Sequence, residues 1–265
     1  MFGAIIGDIV GSRFEWHNIK TKEFELFHRR CHPTDDSVMT LAVAQAILDS
    51  DGDPASLSEN SVRNMQVFGW RYPGAGYGGR FIKWLCAEDP QPYNSYGNGS
   101  AMRVTPCGFA AKTLEEAIDM ADAVTRVTHN HPEGMKGAEA VAAAIFLARS
   151  GKTKEEIRSH IEQNYYPLDF TLDEIRPDYT FHVSCQKSVP QALEAFFEST
   201  SFEDAIRNAI SIGGDSDTIA SITGGIAEAY YGIPVTIEKM ALAFLYSQQR
   251  EILDAFREKF PFGNK

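Results

Sequence analysis

Two short acidic segments contain the residues best suited to chemistry. The first begins at Pro33 and reads PTDDSVMTLAVAQAIL, and the second begins at Ser211 and reads SIGGDSDTIASITGGIAEAYYG. Each places aspartates and a threonine ahead of an apolar helical pattern. Because successive helical residues turn by about 100°, Asp215 and Asp217 can converge only at a helix start. The two glycines before them give the backbone the freedom that such a start needs.

Helix capping accounts for one acid or threonine at each of these starts, and it is the alternative interpretation of both segments. Capping does not explain why both helix starts carry two acids and a threonine. Carboxylates a few Å apart repel each other unless a cation neutralises them, and Asp and Thr oxygens suit Mg²⁺ or Mn²⁺ better than zinc. The residues therefore favour a site for two such ions. The candidate ligands are Thr34, Asp35, Asp36, Asp215, Asp217 and Thr218.

A third acidic element lies near the amino terminus, in GAIIGDIVGSRFEW. Ala4, Asp8, Gly11 and Glu15 follow one another at spacings of four, three and four, which predicts one helix face. On a helix, Asp8 and Glu15 would lie about 10 Å apart along the axis, too far to bind one ion. We therefore expect only one of them to face the site; close helix packing through the glycines is the alternative explanation of the motif.

The composition limits the class of partner. The 265 residues include 25 Lys and Arg against 36 Asp and Glu, a net charge of −11. Such a surface repels phosphate backbones and anionic lipid, so neither nucleic acid nor a membrane is expected as the main partner. With 43% hydrophobic residues, the chain is expected to fold as one domain over residues 1–265.

The cellular setting is predicted from what the sequence contains. Four cysteines form no C-x-x-C pair, which favours reduced, buried thiols in a cytoplasmic protein. No apolar stretch approaches the roughly 18 residues of a membrane span, and the first residues do not resemble a secretion signal. We expect a monomer.

Helical periodicity dominates the chain, which predicts an all-α fold. A glycine-rich and tyrosine-rich segment, 70–105, is predicted to be a loop region, and FHVSC at 181–185 is a short, isolated strand candidate. The predicted helices lie at 38–48, 115–125, 135–149, 190–197, 204–210, 219–230 and 237–256.

Other binding motifs fit less well. A phosphate-binding loop that ends in Gly151, Lys152 and Thr153 would need glycine where Phe146 stands, and Ile219 occupies a ligand position of an EF-hand loop. The adjacent Cys31 and His32, and the neighbouring His129 and His131, have no partner pair at zinc spacing.

Five motifs, in order, resemble those of the ADP-ribosylglycohydrolases, also called dinitrogenase-reductase-activating glycohydrolase-like proteins. The resemblance covers nearly the whole chain and is far more specific than any single motif. The motifs are GAIIGDIVGSRFE at 3–15, TDDS at 34–37, YGNGSAMR at 96–103, THNHP at 128–132 and GGDSDTIA at 213–220.

The resemblance implies a compact all-α bundle whose central cleft holds two Mg²⁺ or Mn²⁺ ions and hydrolyses the bond between ADP-ribose C1″ and an acceptor. It implies that the six candidate ligands hold the metals. Glu15 matches an acid that gates or assists catalysis, so the expected catalytic residues are Glu15, Asp36 and Asp215. The expected substrate-binding residues are Ser95, Tyr96, Gly97, Asn98, Gly99, Ser100 and His129.

The expected partner is ADP-ribose, or a protein or small molecule that carries it. In this mechanism the ions lower the pKa of a bridging water, Glu15 moves a proton, and amides of the 95–100 loop face the diphosphate. Arginine, serine, another side chain, a nucleobase and a small molecule all stay open as acceptors. Two alternatives also stay open: a metal-dependent phosphohydrolase or nucleotide hydrolase, and a non-catalytic ADP-ribose-binding or immunity protein.

Overall fold

The computed structural model describes residues 1–51 and 53–262. It is 63% helical and contains no strand in these two ranges, so the predicted all-α fold is confirmed. Single 3₁₀ turns lie at Asn98–Ser100 and Cys185–Lys187. The α-helices, in chain order, are α1 (Phe2–Gly11), α2 (Asp35–Ser50), α3 (Pro54–Arg71), α4 (Gly79–Leu85), α5 (Thr105–Ala110), α6 (Leu114–Thr125), α7 (Pro132–Arg149), α8 (Lys154–Asn164), α9 (Leu172–Ile175), α10 (Val189–Phe197), α11 (Phe202–Ser211), α12 (Ser216–Tyr231), α13 (Val235–Leu242) and α14 (Ser247–Lys259).

Helices α1 and α12 form the centre of the core, and their backbones touch. All ten residues of α1 are buried. A Cβ atom added to Gly7 would lie 1.9 Å from the carbonyl oxygen of Ala220, and one added to Gly3 would lie 2.2 Å from that of Gly224. Only glycine permits this approach. The contact fixes α1 against α12 and so sets the position of Asp8 relative to the start of α12.

The other helices surround this pair. α2 packs on both α1 and α3, while α7 packs on α5, α6 and α12. Along α12 every residue from Ser216 to Ala229 is buried, which is the pattern of a helix enclosed on all sides. The first turns of α2 and α12 are therefore held by buried neighbours, as a precise binding site requires.

Six of the seven predicted helices are confirmed, and the seventh is two helices. The predicted helix at 237–256 is divided into α13 and α14. The division lies where the backbone of Tyr246 donates a 3.0 Å hydrogen bond to Gln249 Oε1, in a capping box that starts α14.

Other elements differ from the predictions, and α5, α8 and α9 were not predicted. The segment 181–185 forms no strand; it makes a single antiparallel bridge between Ser184 and Gly97. The predicted loop region 70–105 contains α4. Helix α3 was not predicted, because the face that it buries carries Asn60, Ser61 and Asn64 among its apolar residues.

The cysteines follow the prediction with one exception. Cys31, Cys107 and Cys185 are buried free thiols, whereas Cys86 is exposed. The expectation of a buried thiol is therefore wrong for Cys86, which follows the last residue of α4. Within the described ranges, no helix combines the length and apolar character needed to cross a membrane.

Candidate active site

A cavity of about 530 Å³ opens where the starts of α2 and α12 meet. The turn after α1, the segment before α4 with the start of α4, the loop 95–99 and His129 contribute to its wall. Phe181 and Val183 also line it, so part of the segment 163–187, for which the sequence offered no motif, contributes to the site.

At the start of α2, Asp8 binds the first turn. Its carboxylate accepts hydrogen bonds from the backbone of Thr34 at 2.9 Å, from the backbone of Ser37 at 3.0 Å and from the Ser37 hydroxyl. Thr34, the N-cap residue, donates its hydroxyl to Asp8 at 2.6 Å. Thr34 is therefore turned toward Asp8 and does not line the cavity, whereas Asp35 and Asp36 do.

At the start of α12, two glycines allow the acids to converge. Gly213 and Gly214 have φ angles of +70° and +79°, the left-handed region that favours glycine. Asp215 is the N-cap residue, and Asp217 lies in the first turn, as the sequence predicted. Asn18, which the sequence did not single out, holds this turn by accepting from the Gly214 amide at 2.8 Å and donating to the Gly214 carbonyl at 2.9 Å.

The two helix starts meet side by side. The Thr218 hydroxyl donates to Asp36 Oδ2 at 3.1 Å. Carboxylate oxygens of Asp8, Asp36 and Asp217 lie within 4.8 Å of one another, and so do those of Glu15, Asp215 and Asp217. Asp217 is thus shared by two overlapping groups, which we call the acidic cluster.

Of Asp8 and Glu15, only Glu15 lines the cavity, as expected, although Asp8 also reaches the acidic cluster through its group with Asp36 and Asp217. The helical separation of about 10 Å does not apply, because α1 ends at Gly11 and Glu15 lies in the turn that follows. Asp35 lines the cavity but belongs to neither group of three.

Burial and mutual repulsion raise the pKa values of these carboxyl groups. Burial is the main cause at each residue, and neighbouring carboxylates add to it. The pKa of Glu15 is raised to about 7, with Asp215 and Asp8 as further causes, and the pKa of Asp35 to about 8, with Asp8 and Asp215. The pKa values of Asp36 and Asp217 are also raised well above the ordinary value.

A cation would relieve this repulsion, since it favours the charged form of every carboxylate beside it. Asp36 Oδ1 is buried and has no hydrogen-bond partner, although buried polar atoms are normally satisfied. The donors are all hard oxygens, which suits Mg²⁺ or Mn²⁺. The acidic cluster could therefore hold a metal ion.

The 95–100 loop contacts the acidic cluster through Asn98. Its side-chain amide donates to Asp215 Oδ2 at 2.8 Å and to the Ser188 hydroxyl at 3.1 Å. Its backbone amide donates to Val183 at 2.8 Å. Asn98 thus fixes the Asp215 carboxylate and ties the loop to the segment that contains Val183.

Not every residue of this loop reaches the cavity. Ser95, Gly97, Asn98 and Gly99 line it. Tyr96 instead packs on His131, with ring centroids 5.2 Å apart. Ser100 does not line the cavity either, and its hydroxyl donates to the Gly134 carbonyl at 2.8 Å.

Several loop amides already have acceptors inside the protein. The Gly97 amide donates to Ser95 Oγ at 3.2 Å, and the Ser100 amide to the Gly97 carbonyl at 3.3 Å. Together with the Asn98 amide, three backbone amides of the loop therefore already donate hydrogen bonds within the protein. The loop therefore offers an anion fewer free amides than the sequence indicated.

His129 faces this loop and is oriented by a buried relay. Arg103 Nη2 donates to Thr128 Oγ1 at 2.6 Å, and Thr128 Oγ1 lies 2.6 Å from His129 Nδ1. The Thr128 hydroxyl accepts from Arg103, pairs with His129 Nδ1 as donor or acceptor, and has the Thr125 carbonyl oxygen at 3.4 Å as a further acceptor. Burial, with the charges of Arg103 and Arg80, lowers the pKa of His129 well below its ordinary value. His129 is therefore a neutral ring, fixed at Nδ1, whose Nε2 faces the loop.

The sequence matches a family model described as ADP-ribosylglycohydrolase over residues 1–258. The chain is 26% identical to the ADP-ribosylhydrolase ARH3 of Mus musculus over 304 aligned residues, covering 87% of this chain and 82% of the relative. It is 28% identical to the ADP-ribosylarginine hydrolase Tri1 of Pseudomonas putida (strain GB-1) over 193 residues, covering 69% of this chain and 49% of that protein.

A solved structure shares the fold. It is titled "ADP-ribosylglycohydrolase-related protein complex" and aligns with a TM-score of 0.71 over 97% of this chain and 95% of its own, at 24% identity. At this identity the likeness concerns the fold alone. Because the family model spans nearly the whole sequence, the chain belongs to the ADP-ribosylglycohydrolase family.

Proposed function

We propose that this protein is a metal-dependent hydrolase that cleaves the glycosidic bond between ADP-ribose C1″ and an acceptor. One observation carries the proposal: two overlapping carboxylate groups that share Asp217 lie at a cavity of about 530 Å³. The names of the relatives, ADP-ribosylhydrolase and ADP-ribosylarginine hydrolase, support the same reaction.

The residues that would hold two Mg²⁺ or Mn²⁺ ions are those that present oxygens to the cavity or to the acidic cluster. Divalent ions there would supply Lewis acidity, which lowers the pKa of a water and polarises sugar hydroxyls. Thr34 would support the metal site only indirectly, because its hydroxyl donates a hydrogen bond to Asp8. The proposed ligands are Asp35, Asp36, Asp215, Asp217 and Thr218, with the Glu15 carboxylate beside them.

Glu15 would move the proton. Cleavage at an anomeric carbon passes through an oxocarbenium-like state, and a carboxyl group commonly protonates the leaving group or deprotonates the attacking water. In the metal-free protein, burial and acidic neighbours raise the pKa of Glu15 to about 7. Ions at the acidic cluster would lower it and favour the carboxylate form, which can accept a proton from the attacking water. Such a role is typically worth about 10² to 10⁴-fold in rate.

Asn98 would orient a metal ligand, and His129 would bind the substrate. Asn98 fixes the Asp215 carboxylate by its 2.8 Å hydrogen bond. His129 presents Nε2 beside Gly97 and Gly99, where added Cβ atoms would lie 3.5 Å from Nε2. A neutral ring nitrogen there would donate to an oxygen of the diphosphate or accept from a ribose hydroxyl.

The test is the release of free ADP-ribose from arginine-linked and serine-linked ADP-ribosylated peptides and from O-acetyl-ADP-ribose, each with Mg²⁺, Mn²⁺ or EDTA. We expect release with metal and none with EDTA. Glu15→Gln should keep affinity for ADP-ribose and lose at least about 100-fold in kcat. Glu23→Gln, at an exposed residue, serves as the matched control. An unchanged kcat in Glu15→Gln would remove Glu15 from the chemistry.

The same assay separates the two alternatives. Release of inorganic phosphate without free ADP-ribose would favour a phosphohydrolase. Tight binding of ADP-ribose with no turnover in excess Mg²⁺ or Mn²⁺ would favour a non-catalytic binding or immunity protein.

A further inference from the structure

The residues between α9 and α10, 176–187, form part of the cavity wall, and we call them the wall segment. Phe181 and Val183 of this segment line the cavity. Beyond Phe181 the segment is tied to the 95–100 loop, because the Asn98 amide donates to the Val183 carbonyl oxygen at 2.8 Å. The beginning of the wall segment is held by a different contact.

One lysine joins the beginning of the wall segment to the start of α12. Lys20 Nζ donates to the carbonyl oxygens of Tyr179 and Ile212, each at 2.6 Å. Tyr179 belongs to the wall segment, and Ile212 lies three residues before Asp215, the N-cap residue of α12. Lys20 itself lies in the turn that follows α1. Its ammonium group therefore connects three parts of the chain that are distant in sequence.

Helix capping explains only half of this contact. Lysine side chains commonly bind the last carbonyl oxygens of a helix, and Ile212 is the C-cap residue of α11. Capping does not explain the second bond, to Tyr179 in a separate segment. The ammonium group also lies over the turn itself, since a Cβ atom added to Gly213 would lie 3.1 Å from Lys20 Nζ. The contact is therefore a tether between the wall segment and the turn 212–215.

The Tyr179 side chain packs on the same turn. A Cβ atom added to Gly214 would collide with the Tyr179 ring, so the ring occupies the space that glycine leaves open. The Tyr179 hydroxyl donates to the Lys187 carbonyl oxygen, at the other end of the wall segment. A displacement of Tyr179 would therefore move both the wall segment and the backbone directly before Asp215.

We propose that Lys20 is a positioning residue, which fixes the wall segment on the turn 212–215 and thereby holds Asp215 and Asp217 in the arrangement that binds a divalent ion. Groups that orient metal ligands contribute to metal affinity without touching the metal. Lys20 fits this description, because it does not line the cavity. This inference rests on the proposed function, since it assumes that the acidic cluster binds metal.

Two effects of Lys20 on metal binding have opposite signs. The ammonium charge repels a divalent cation nearby, so loss of the charge alone would raise the affinity for Mn²⁺. Loss of the tether would lower that affinity, because Asp215 and Asp217 would be less well ordered before the ion binds. The sign of the change therefore separates positioning from simple electrostatics.

The test measures Mn²⁺ binding to the metal-free protein by electron paramagnetic resonance, and amide hydrogen exchange of the same samples by mass spectrometry. Lys20→Met should bind Mn²⁺ about 3 to 10-fold more weakly than wild type, which is less than the roughly 10 to 100-fold lost when a group bonded directly to a ligand is removed. Amides of the wall segment and of the turn 212–215 should exchange faster, while the helical core keeps its protection.

Two further variants complete the test. Lys20→Arg keeps the charge and can donate to two carbonyl oxygens, so it should retain most of the Mn²⁺ affinity. Lys239→Met, at an exposed lysine on α13, is the matched control and should bind Mn²⁺ as wild type does.

The outcomes distinguish this inference from the function beneath it. Failure of wild type to bind Mn²⁺ would refute the metal site of the proposed function. Wild-type binding of Mn²⁺ together with equal or tighter binding in Lys20→Met, or with unchanged exchange in the wall segment, would overturn the positioning role alone.

Discussion

Thr218 Oγ1 donates a 3.1 Å hydrogen bond to Asp36 Oδ2, although the two residues are 182 positions apart in the sequence. Each belongs to the first turn of a buried helix, α12 or α2. This contact unites two acidic motifs into one cluster, and the contact of α1 with α12 brings Asp8 into the same place.

We expect Asp217→Asn to lower the rate of ADP-ribose release by at least about 100-fold, because Asp217 belongs to both carboxylate groups. The same change should raise the melting temperature of the EDTA-treated protein, since it removes one buried charge from a repelling cluster. Activity assays and thermal unfolding measure both effects. The control is Asp254→Asn, at an exposed acid on α14. Near-full turnover in Asp217→Asn would contradict the shared role.

Local sequence was enough to predict the start of α12. A glycine pair followed by an aspartate has few ways to enter a helix, and Asp215 is the N-cap residue as expected. The partner of Thr34 could not be predicted, because Asp8 reaches it only after α1 has packed in the core. Asn18 was missed for a related reason, because it contacts Gly214 only where two distant turns meet in three dimensions.

The metal-free protein should become more stable as the pH falls. The pKa is raised to about 7 at Glu15 and about 8 at Asp35 by burial and neighbouring acids. A raised folded-state pKa gives stability that is complete below the unfolded value of about 4 and is lost as pH rises through the folded value. In EDTA, the melting temperature should therefore rise as pH falls from about 9 to about 6.

Bound metal should oppose this rise of stability on acidification, because carboxylate ligands must be deprotonated to bind a cation. The stabilisation that Mn²⁺ adds should shrink as pH falls over the same range. Differential scanning calorimetry of wild type and Asp35→Asn measures the effect, and the variant should show a flatter dependence in EDTA. A melting temperature in EDTA that falls steadily on acidification over that range would contradict the raised pKa values.

Gly7→Ala should destabilise the fold strongly. The added Cβ would meet the Ala220 carbonyl oxygen at 1.9 Å, and backbone gives way less easily than a side chain. We expect a loss in the free energy of unfolding of at least about 3 kcal/mol, the upper end for overpacking. Gly74→Ala, where no heavy atom lies within 4 Å of the new Cβ, should change it by less than about 0.5 kcal/mol. Similar urea denaturation curves for the two variants would show that α1 and α12 are not in backbone contact.

Thr128→Val should loosen the orientation of the His129 ring, because it removes the hydroxyl that links Arg103 to Nδ1. In wild type, ¹⁵N NMR should show a neutral imidazole at neutral pH, because burial and the charges of Arg103 and Arg80 lower the pKa of His129. The affinity for ADP-ribose should fall by about 2 to 10-fold in Thr128→Val, the range of one hydrogen bond, and return in Thr128→Ser. A doubly protonated ring in wild type at neutral pH, or an unchanged affinity in Thr128→Val, would refute the relay.

The most direct test of the central claim is anomalous diffraction from crystals soaked in Mn²⁺. We predict two anomalous peaks at the acidic cluster, each within about 2.5 Å of carboxylate oxygens and together contacting Asp36, Asp215 and Asp217. An active protein whose crystals show Mn²⁺ bound elsewhere, with none at this cluster, would contradict the account.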